Sequence, residues 1–202
     1  MVCATGVWAI LPAEQVMWLM REEGVVETTT SAVFFALALG LLWWRPAQDD
    51  RRSWLAMAVL CAAAGAREID WHKAWTGKSM LKVSYYLGPA PWGQKLVALA
   101  LVLLVAASAL YLWRRHARRL WQAMQAGQPD AGTVATLVAT TVITKLLDRS
   151  VNVLAEDFGV ATSPSTRALV SALEETMELG LPLMVALALR QYLRRPRAHM
   201  PA

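Results

Sequence analysis

The chain has 202 residues, of which 56% are hydrophobic and only 17% are charged, with a net charge of +5. Water-soluble domains are less apolar and carry about one quarter charged residues. The composition therefore argues against a soluble enzyme, a nucleic-acid-binding module and a secreted disulfide scaffold. Cys3 and Cys61 are the two cysteines, and Cys61 lies inside an apolar block, so no disulfide framework is indicated.

The apolar residues gather in blocks of about 20, the length at which a helix crosses the hydrocarbon core of a bilayer. We predict an all-α, polytopic membrane helix bundle forming one domain over residues 1–202. Its five transmembrane helices are expected at residues 22–44, 54–72, 94–113, 131–154 and 166–193. Residues 1–20 are apolar but are interrupted by Pro12, Glu14 and Gln15. An interfacial or short helix is predicted there, with a full sixth span as the alternative.

Basic residues next to the spans predict the orientation. The links RPAQDDRR and RRHARR and the C-terminal RQYLRRPR hold 11 of the 20 lysine and arginine residues. Five alternating helices place these three segments on one side, which the positive-inside rule makes cytoplasmic. The expected location is a bacterial inner membrane, and the RRHARR run is interpreted as a topology signal rather than as a nucleic-acid contact.

Ionisable residues cluster at the opposite helix ends. Under this topology four helix ends lie in the outer half of the bilayer. They are the start of the first predicted helix, the ends of the second and fourth, and the start of the fifth. Ionisable residues inside membrane segments are costly and usually mark function. The residues so placed are Glu23, Glu27, Glu68, Asp70, His72, Lys145, Asp148, Arg149, Glu174, Glu175 and Glu178.

Helical spacing adds detail to each cluster. Ser31 continues the line of Glu23 and Glu27, and Glu68 and His72 are four residues apart, which places them on one helix face. That face also carries the small residues Cys61 and Gly65, which allow close approach of a neighbouring helix. A polar stripe on the fourth helix comprises Thr136, Thr140, Thr144, Asp148 and Asn152. On the fifth helix, Pro182 removes the hydrogen bond to the carbonyl of Glu178.

These side chains indicate a bound divalent cation. Carboxylates with one imidazole suit zinc, iron or manganese, whereas oxygen ligands alone suit magnesium or calcium. The predicted ligands are Glu27, Glu68, His72, Glu174 and Glu178. The alternative is a static ion-paired core in which Arg67, Lys145 and Arg149 neutralise the acids.

The leading functional hypothesis is a metal-dependent membrane hydrolase acting on a lipid or lipid-linked substrate. A metal-bound water would be the nucleophile, with Asp70 or Glu175 as general base. Lys145 or Arg149 would stabilise an oxyanion or phosphate, while Glu23, Ser31, Asp148 and Asn152 would complete the polar site. The alternatives are a proton- or cation-coupled transporter that uses the same acids and a non-catalytic membrane assembly subunit.

The link over residues 73–92 is long for a helix bundle and mixes aromatic residues with Lys73, Lys78 and Lys82. We expect it to lie in the headgroup region, where the lysines contact lipid phosphates. Two roles are open for it, a plain anchor and a lid that selects an anionic lipid substrate.

Three stretches, REEGVVETTTSAVF, AREIDWHKAW and SALEETMELGLPL, resemble a family of uncharacterised bacterial integral membrane proteins. More distantly, Glu27 with Ser31 and Trp71 with His72 resemble motifs of the alkaline ceramidase and adiponectin-receptor superfamily. That resemblance implies a zinc-dependent membrane hydrolase. The two late histidines of the superfamily are missing here, and Glu174 and Glu178 would have to replace them.

Overall fold

The structure is a computed structural model that describes residues 6, 9–10, 12–19, 24–43, 50–156 and 163–194. All regular secondary structure in these residues is helical, which confirms the predicted all-α class. The helices are α1 (Ala13–Leu19), α2 (Val25–Trp43), α3 (Arg51–Glu68), α4 (Trp71–Thr76), α5 (Val83–Leu87), α6 (Trp92–Gln125), α7 (Pro129–Glu156) and α8 (Pro164–Leu193).

Three helices are long and apolar enough to cross a membrane: α2, α6 and the Pro129–Leu147 part of α7. They confirm three of the five predicted spans and identify a membrane-embedded protein. The other two predicted spans correspond to α3 and α8, which do not reach the same apolarity. Charged residues lower it, since α3 starts with two arginines and ends with Arg67 and Glu68, while α8 carries three glutamates.

Helix α6 is longer than the sequence predicts. It continues from the expected end at residue 113 through the RRHARR run to Gln125 and spans 34 residues. Arginine, alanine, leucine and glutamine all favour helix, so the loss of apolarity after residue 113 does not end the helix. The first backbone break is at Gly127, whose φ of 66° suits glycine.

The chain divides into two compact units, residues 22–118 and residues 1–21 together with 119–202. In the first unit, α2 and α3 form an antiparallel hairpin that packs tightly at Gly65. A Cβ atom at this position would lie 3.1 Å from the Ser31 carbonyl oxygen and 3.2 Å from the Cβ of Phe34. Cys61 is buried one turn earlier on α3. The predicted close approach is confirmed at Gly65.

A tertiary hydrogen bond completes this contact. Gly65 is one of the last four residues of α3, whose carbonyl groups lack intrahelical donors. The hydroxyl of Ser31 donates to the Gly65 carbonyl oxygen at 2.8 Å. The side chain of α2 thereby satisfies a buried backbone acceptor at the end of α3.

The predicted helix over residues 54–72 is two helices. α3 ends at Glu68, and Asp70 has a positive φ of 45° before α4 begins at Trp71. A residue in this left-handed conformation cannot continue a right-handed helix. Glu68 and His72 therefore do not share one helix face, as their spacing had predicted.

In the second unit, α7 and α8 form another antiparallel hairpin. Lys145 contacts Glu178 and Thr133 contacts Gln191, at 2.7 and 2.8 Å respectively. Thr133 lies 12 residues before Lys145 on α7, whereas Gln191 lies 13 residues after Glu178 on α8, so the two helices run antiparallel. The short helix α1 also packs on α8, and Val16 is fully buried.

Candidate functional site

One cluster of ionisable residues lies at the end of the α2–α3 hairpin in the first unit. Glu27 precedes Ser31 by one helical turn, and Glu68 follows Gly65 by about one turn. Ser31 and Gly65 are in contact, so both glutamates lie about one helical turn beyond this contact, toward the same end of the hairpin. Glu27 is half-buried and Glu68 is only 8% exposed. We call this layer the α2–α3 acidic end.

Glu68 is held by its sequence neighbour. An Arg67 nitrogen lies 3.3 Å from the Glu68 carboxylate, and the arginine side chain is about half exposed. The pair therefore joins a buried anion to a cation that reaches solvent. Charge-assisted hydrogen bonds of this kind are stronger than those between neutral groups.

Asp70 and His72 follow directly after this layer. The ammonium group of Lys73 donates to the Asp70 carboxylate at 2.5 Å. His72 is half-buried at the start of α4, and burial lowers its pKa below the usual histidine value. The Asp70 carboxylate acts in the opposite direction and raises the pKa, while Lys73 and Arg67 lower it. The imidazole is consequently neutral over a wider pH range, which is the form that binds metals.

The second unit contains a separate ion pair between α7 and α8. The Lys145 ammonium lies 2.7 Å from the Glu178 carboxylate, and Glu178 is only 7% exposed. Thr140 and Thr144 are buried on α7, whereas Thr136 is exposed. Glu178 is thus bound to a cation of the neighbouring helix, as the ion-paired alternative from the sequence predicts for this residue.

The remaining predicted residues of this unit differ in what the structure describes. Glu174 and Glu175 are half-buried on α8, and Arg149 is exposed on α7. The side chains of Asp148 and Asn152 and the whole of Glu23 lie outside the described residues.

No metal centre is assembled in the described part of the chain. Among those residues, no three His, Cys, Asp or Glu side chains come together in a group that could hold a metal ion. The donor types at the α2–α3 acidic end, two carboxylates followed by an imidazole, nevertheless match the preferences of zinc, iron and manganese.

The segment from the start of α4 to the start of α6 presents lysines among apolar side chains. Lys73, Lys78 and Lys82 are all exposed. The amide of Gln94 donates to the Trp75 carbonyl oxygen at 2.7 Å and ties this segment to the start of α6. The exposed large apolar residues of the region are Trp71, Trp75, Leu81, Val83, Leu87 and Trp92. This mixture of cations and exposed aromatic rings is typical of a membrane interface.

The start of α3 carries a polar network that was not predicted from the sequence. There, Asp50 caps the helix and accepts hydrogen bonds from the side chains of Ser53 and Tyr111. The available signal was an aspartate directly before a helix with a serine three residues later, a common capping pattern. The α6 residues that contact Asp50 are Tyr111 and Arg115, which lie more than 60 residues away in the chain, so no local pattern identifies them.

A comparison with protein-family models, curated proteins and solved structures found no match to this chain. The family resemblances of the sequence therefore stay expectations.

Proposed function

We propose that this protein is a membrane-embedded, metal-dependent hydrolase acting on a lipid or lipid-linked substrate in a bacterial inner membrane. The observation that carries the proposal is the α2–α3 acidic end, where Glu27 and Glu68 share one layer and His72 follows. Arg67 already compensates the buried Glu68 carboxylate, and a bound metal ion would be a second cation beside the same group.

In this proposal α3 and α8 also cross the membrane, which makes five spans. Each forms an antiparallel hairpin with a helix that is apolar enough to span by itself. A polar residue that faces its hairpin partner is kept away from lipid, so α3 and α8 tolerate more charge than a lipid-exposed helix. The arginine-rich links then lie in the cytoplasm and the acidic helix ends face outward.

The proposed metal ligands are Glu27, Glu68 and His72, which would have to move closer together to bind one ion, because no three such side chains form a group in the described residues. When bound, the metal would lower the pKa of a coordinated water and polarise the substrate carbonyl or phosphoryl oxygen. Asp70 is the general base, and its contact with Lys73 orients the carboxylate. The left-handed backbone at Asp70 turns the chain out of α3 and separates this carboxylate from the helix that carries Glu68.

Two further predicted ligands, Glu174 and Glu178, belong to the second unit, together with Glu175, Lys145 and Arg149. Their metal-binding and catalytic roles stay predictions from the sequence. Glu178 is bound by Lys145, so a metal at Glu178 would have to displace an ammonium group held at 2.7 Å.

The lipid nature of the substrate is supported by the segment that follows His72. Exposed lysines match the phosphate of a headgroup, and the neighbouring tryptophans and leucines match the upper part of the acyl chains. A substrate bound there would approach the α2–α3 acidic end from the membrane surface.

Elemental analysis of the detergent-purified full chain tests this proposal. We expect about one equivalent of zinc, iron or manganese per chain, lost in Glu68→Gln and in His72→Ala. His116→Ala is the matched control, because it removes another half-buried histidine of the same unit, whose ring contacts Ser53. Metal-free wild-type protein, or metal retained in both site variants, would contradict the proposal.

A second candidate, a proton- or cation-coupled transporter, is favoured by one observation in the other unit. The Lys145–Glu178 pair adjoins the buried threonines Thr140 and Thr144 on the interface between α7 and α8. Proteoliposomes with an imposed membrane potential distinguish the two. Proton or cation flux that disappears in Glu178→Gln would support transport, whereas lipid hydrolysis without flux would support the enzyme.

A further inference from the structure

A polar network joins the start of α3 to the middle of α6, and the proposed hydrolase does not use it. The Asp50 carboxylate accepts a hydrogen bond from the backbone N–H of Arg52 and another from the Ser53 hydroxyl, both at 3.1 Å. It also accepts a hydrogen bond from the Tyr111 hydroxyl of α6, and the Arg115 Nε lies 3.9 Å away. These contacts connect the two helices at this point.

His116 extends the network through Ser53. Its Nε2 atom lies 2.8 Å from the Ser53 hydroxyl oxygen. Because the single hydroxyl proton of Ser53 is donated to Asp50, the hydrogen bond with His116 requires a proton on Nε2. The Ser53 proton is therefore not donated to the imidazole, so Ser53 and His116 do not form a serine–histidine nucleophile pair.

The network joins two helix segments that both carry exposed arginines. Arg51 and Arg52 begin α3, while Arg114, Arg115 and Arg118 lie on α6, and all five side chains are exposed. On α6 they are three, four and seven residues after Tyr111, so they share its helix face. Among the described acidic residues, none forms an ion pair with Arg114 or Arg118. We call these five residues the arginine patch.

The position of the patch relative to the apolar part of α6 indicates what it binds. Trp113, which is 70% exposed, marks the end of the apolar stretch, and tryptophan concentrates at the membrane interface. The arginines follow immediately and so lie at the headgroup level. Leu103, Leu104 and Leu110 are exposed on the apolar side of Trp113, where acyl chains would contact them.

We propose that the arginine patch is a binding site for the headgroup of an anionic phospholipid. The phosphate diester binds the guanidinium groups of Arg114 and Arg118, which can donate two parallel hydrogen bonds to phosphate oxygens. The Asp50 network connects the two helix segments that carry these arginines. The acyl chains extend along the exposed leucines of α6.

Competitive lipid binding tests this site. The full chain in detergent is mixed with equal amounts of phosphatidylglycerol and phosphatidylcholine, and the bound lipid is quantified by native mass spectrometry. Wild-type protein is expected to prefer phosphatidylglycerol. The double variant Arg114→Gln with Arg118→Gln should lose this preference by about fivefold for each arginine removed.

Two controls separate the site from general charge. The double variant Arg190→Gln with Arg194→Gln removes the same charge from exposed positions on and directly after α8 and should keep the preference. Arg114→Lys with Arg118→Lys retains the charge and should keep most of it. Equal binding of the two lipids by wild-type protein, or an equal loss in the α8 variant, would overturn the proposal. Arg114 and Arg118 make none of the network contacts, so their variants are expected to fold. Far-ultraviolet circular dichroism of every variant verifies this.

Discussion

Replacing Gly65 by leucine tests how closely α2 and α3 must pack. A Cβ atom alone would already lie 3.1 to 3.3 Å from the Ser31 carbonyl oxygen, the Phe34 Cβ and the Phe35 ring. These distances are shorter than ordinary van der Waals contacts. The three further carbon atoms of leucine have no space, so the two helices must separate.

Two effects of Gly65→Leu lower the free energy of unfolding and one raises it. Overpacking of a close interface costs about 2 kcal/mol. Separation also breaks the hydrogen bond from Ser31 to the Gly65 carbonyl oxygen, which contributes about 1 kcal/mol. Leucine favours helix over glycine by about 0.8 kcal/mol and offsets part of this. We expect Gly65→Leu to lower the free energy of unfolding by about 2 kcal/mol.

The assay is reversible unfolding in mixed detergent and dodecyl sulfate micelles, followed by far-ultraviolet circular dichroism. Gly40→Leu on α2 is the matched control, because no atom lies within 4 Å of a Cβ at that position. It should be at least as stable as wild type, because leucine favours helix over glycine by about 0.8 kcal/mol and meets no neighbouring atom there. Equal stability of the Gly65 and Gly40 variants would refute the close-packing argument, and unchanged stability of Ser31→Ala would refute the role of the hydrogen bond.

Three further predictions concern the other polar contacts. Lys145→Met should lower the free energy of unfolding by about 2 kcal/mol. This is less than for a fully buried pair, because the lysine side chain is 36% exposed. Adding Glu178→Met should recover at least half of the lost stability in a double-mutant cycle. The hydrogen bond from Tyr111 holds the pKa of Asp50 below its ordinary value of 3.8, so this carboxylate stabilises the fold fully above that pH and less as the pH falls through the lowered pKa. Tyr111→Phe should flatten the acid part of a stability profile against pH, and an unchanged profile would contradict this. Because Asp70 has a positive φ, Asp70→Val should be less stable than Asp70→Gly by about 1 to 2 kcal/mol, and equal thermal midpoints would argue against the left-handed backbone.

Much of the fold was predictable from local patterns. The apolar blocks identified α2, α6 and α7 as membrane spans, since transfer into lipid depends on summed side-chain hydrophobicity. The small residues Cys61 and Gly65 indicated where another helix approaches α3. The break at Asp70 and the extension of α6 to Gln125 were not predicted, because the sequence interpretation used apolarity, rather than backbone conformation, to define the helix ends.

The candidate site was predictable as a set of residue types and not as a set of contacts. The sequence identified Glu68, His72 and Glu178 as ionisable residues in apolar surroundings, and Glu68 and Glu178 are buried. It assigned Glu68 and His72 to one helix face, but the turn after α3 separates them. Which cation contacts Glu178 depends on the register of α7 against α8.

The amino-acid sequence by itself determined that this protein lies in a membrane and approximately where its spans are. It also determined the separation of arginines from carboxylates along the chain. These are sums over neighbouring residues, so no tertiary information is needed. Only the tertiary structure decided that Ser31 caps α3, that Lys145 pairs with Glu178 and that Asp50 joins α3 to α6. Those contacts connect residues more than 30 positions apart and depend on the helix register, which close packing at positions such as Gly65 sets.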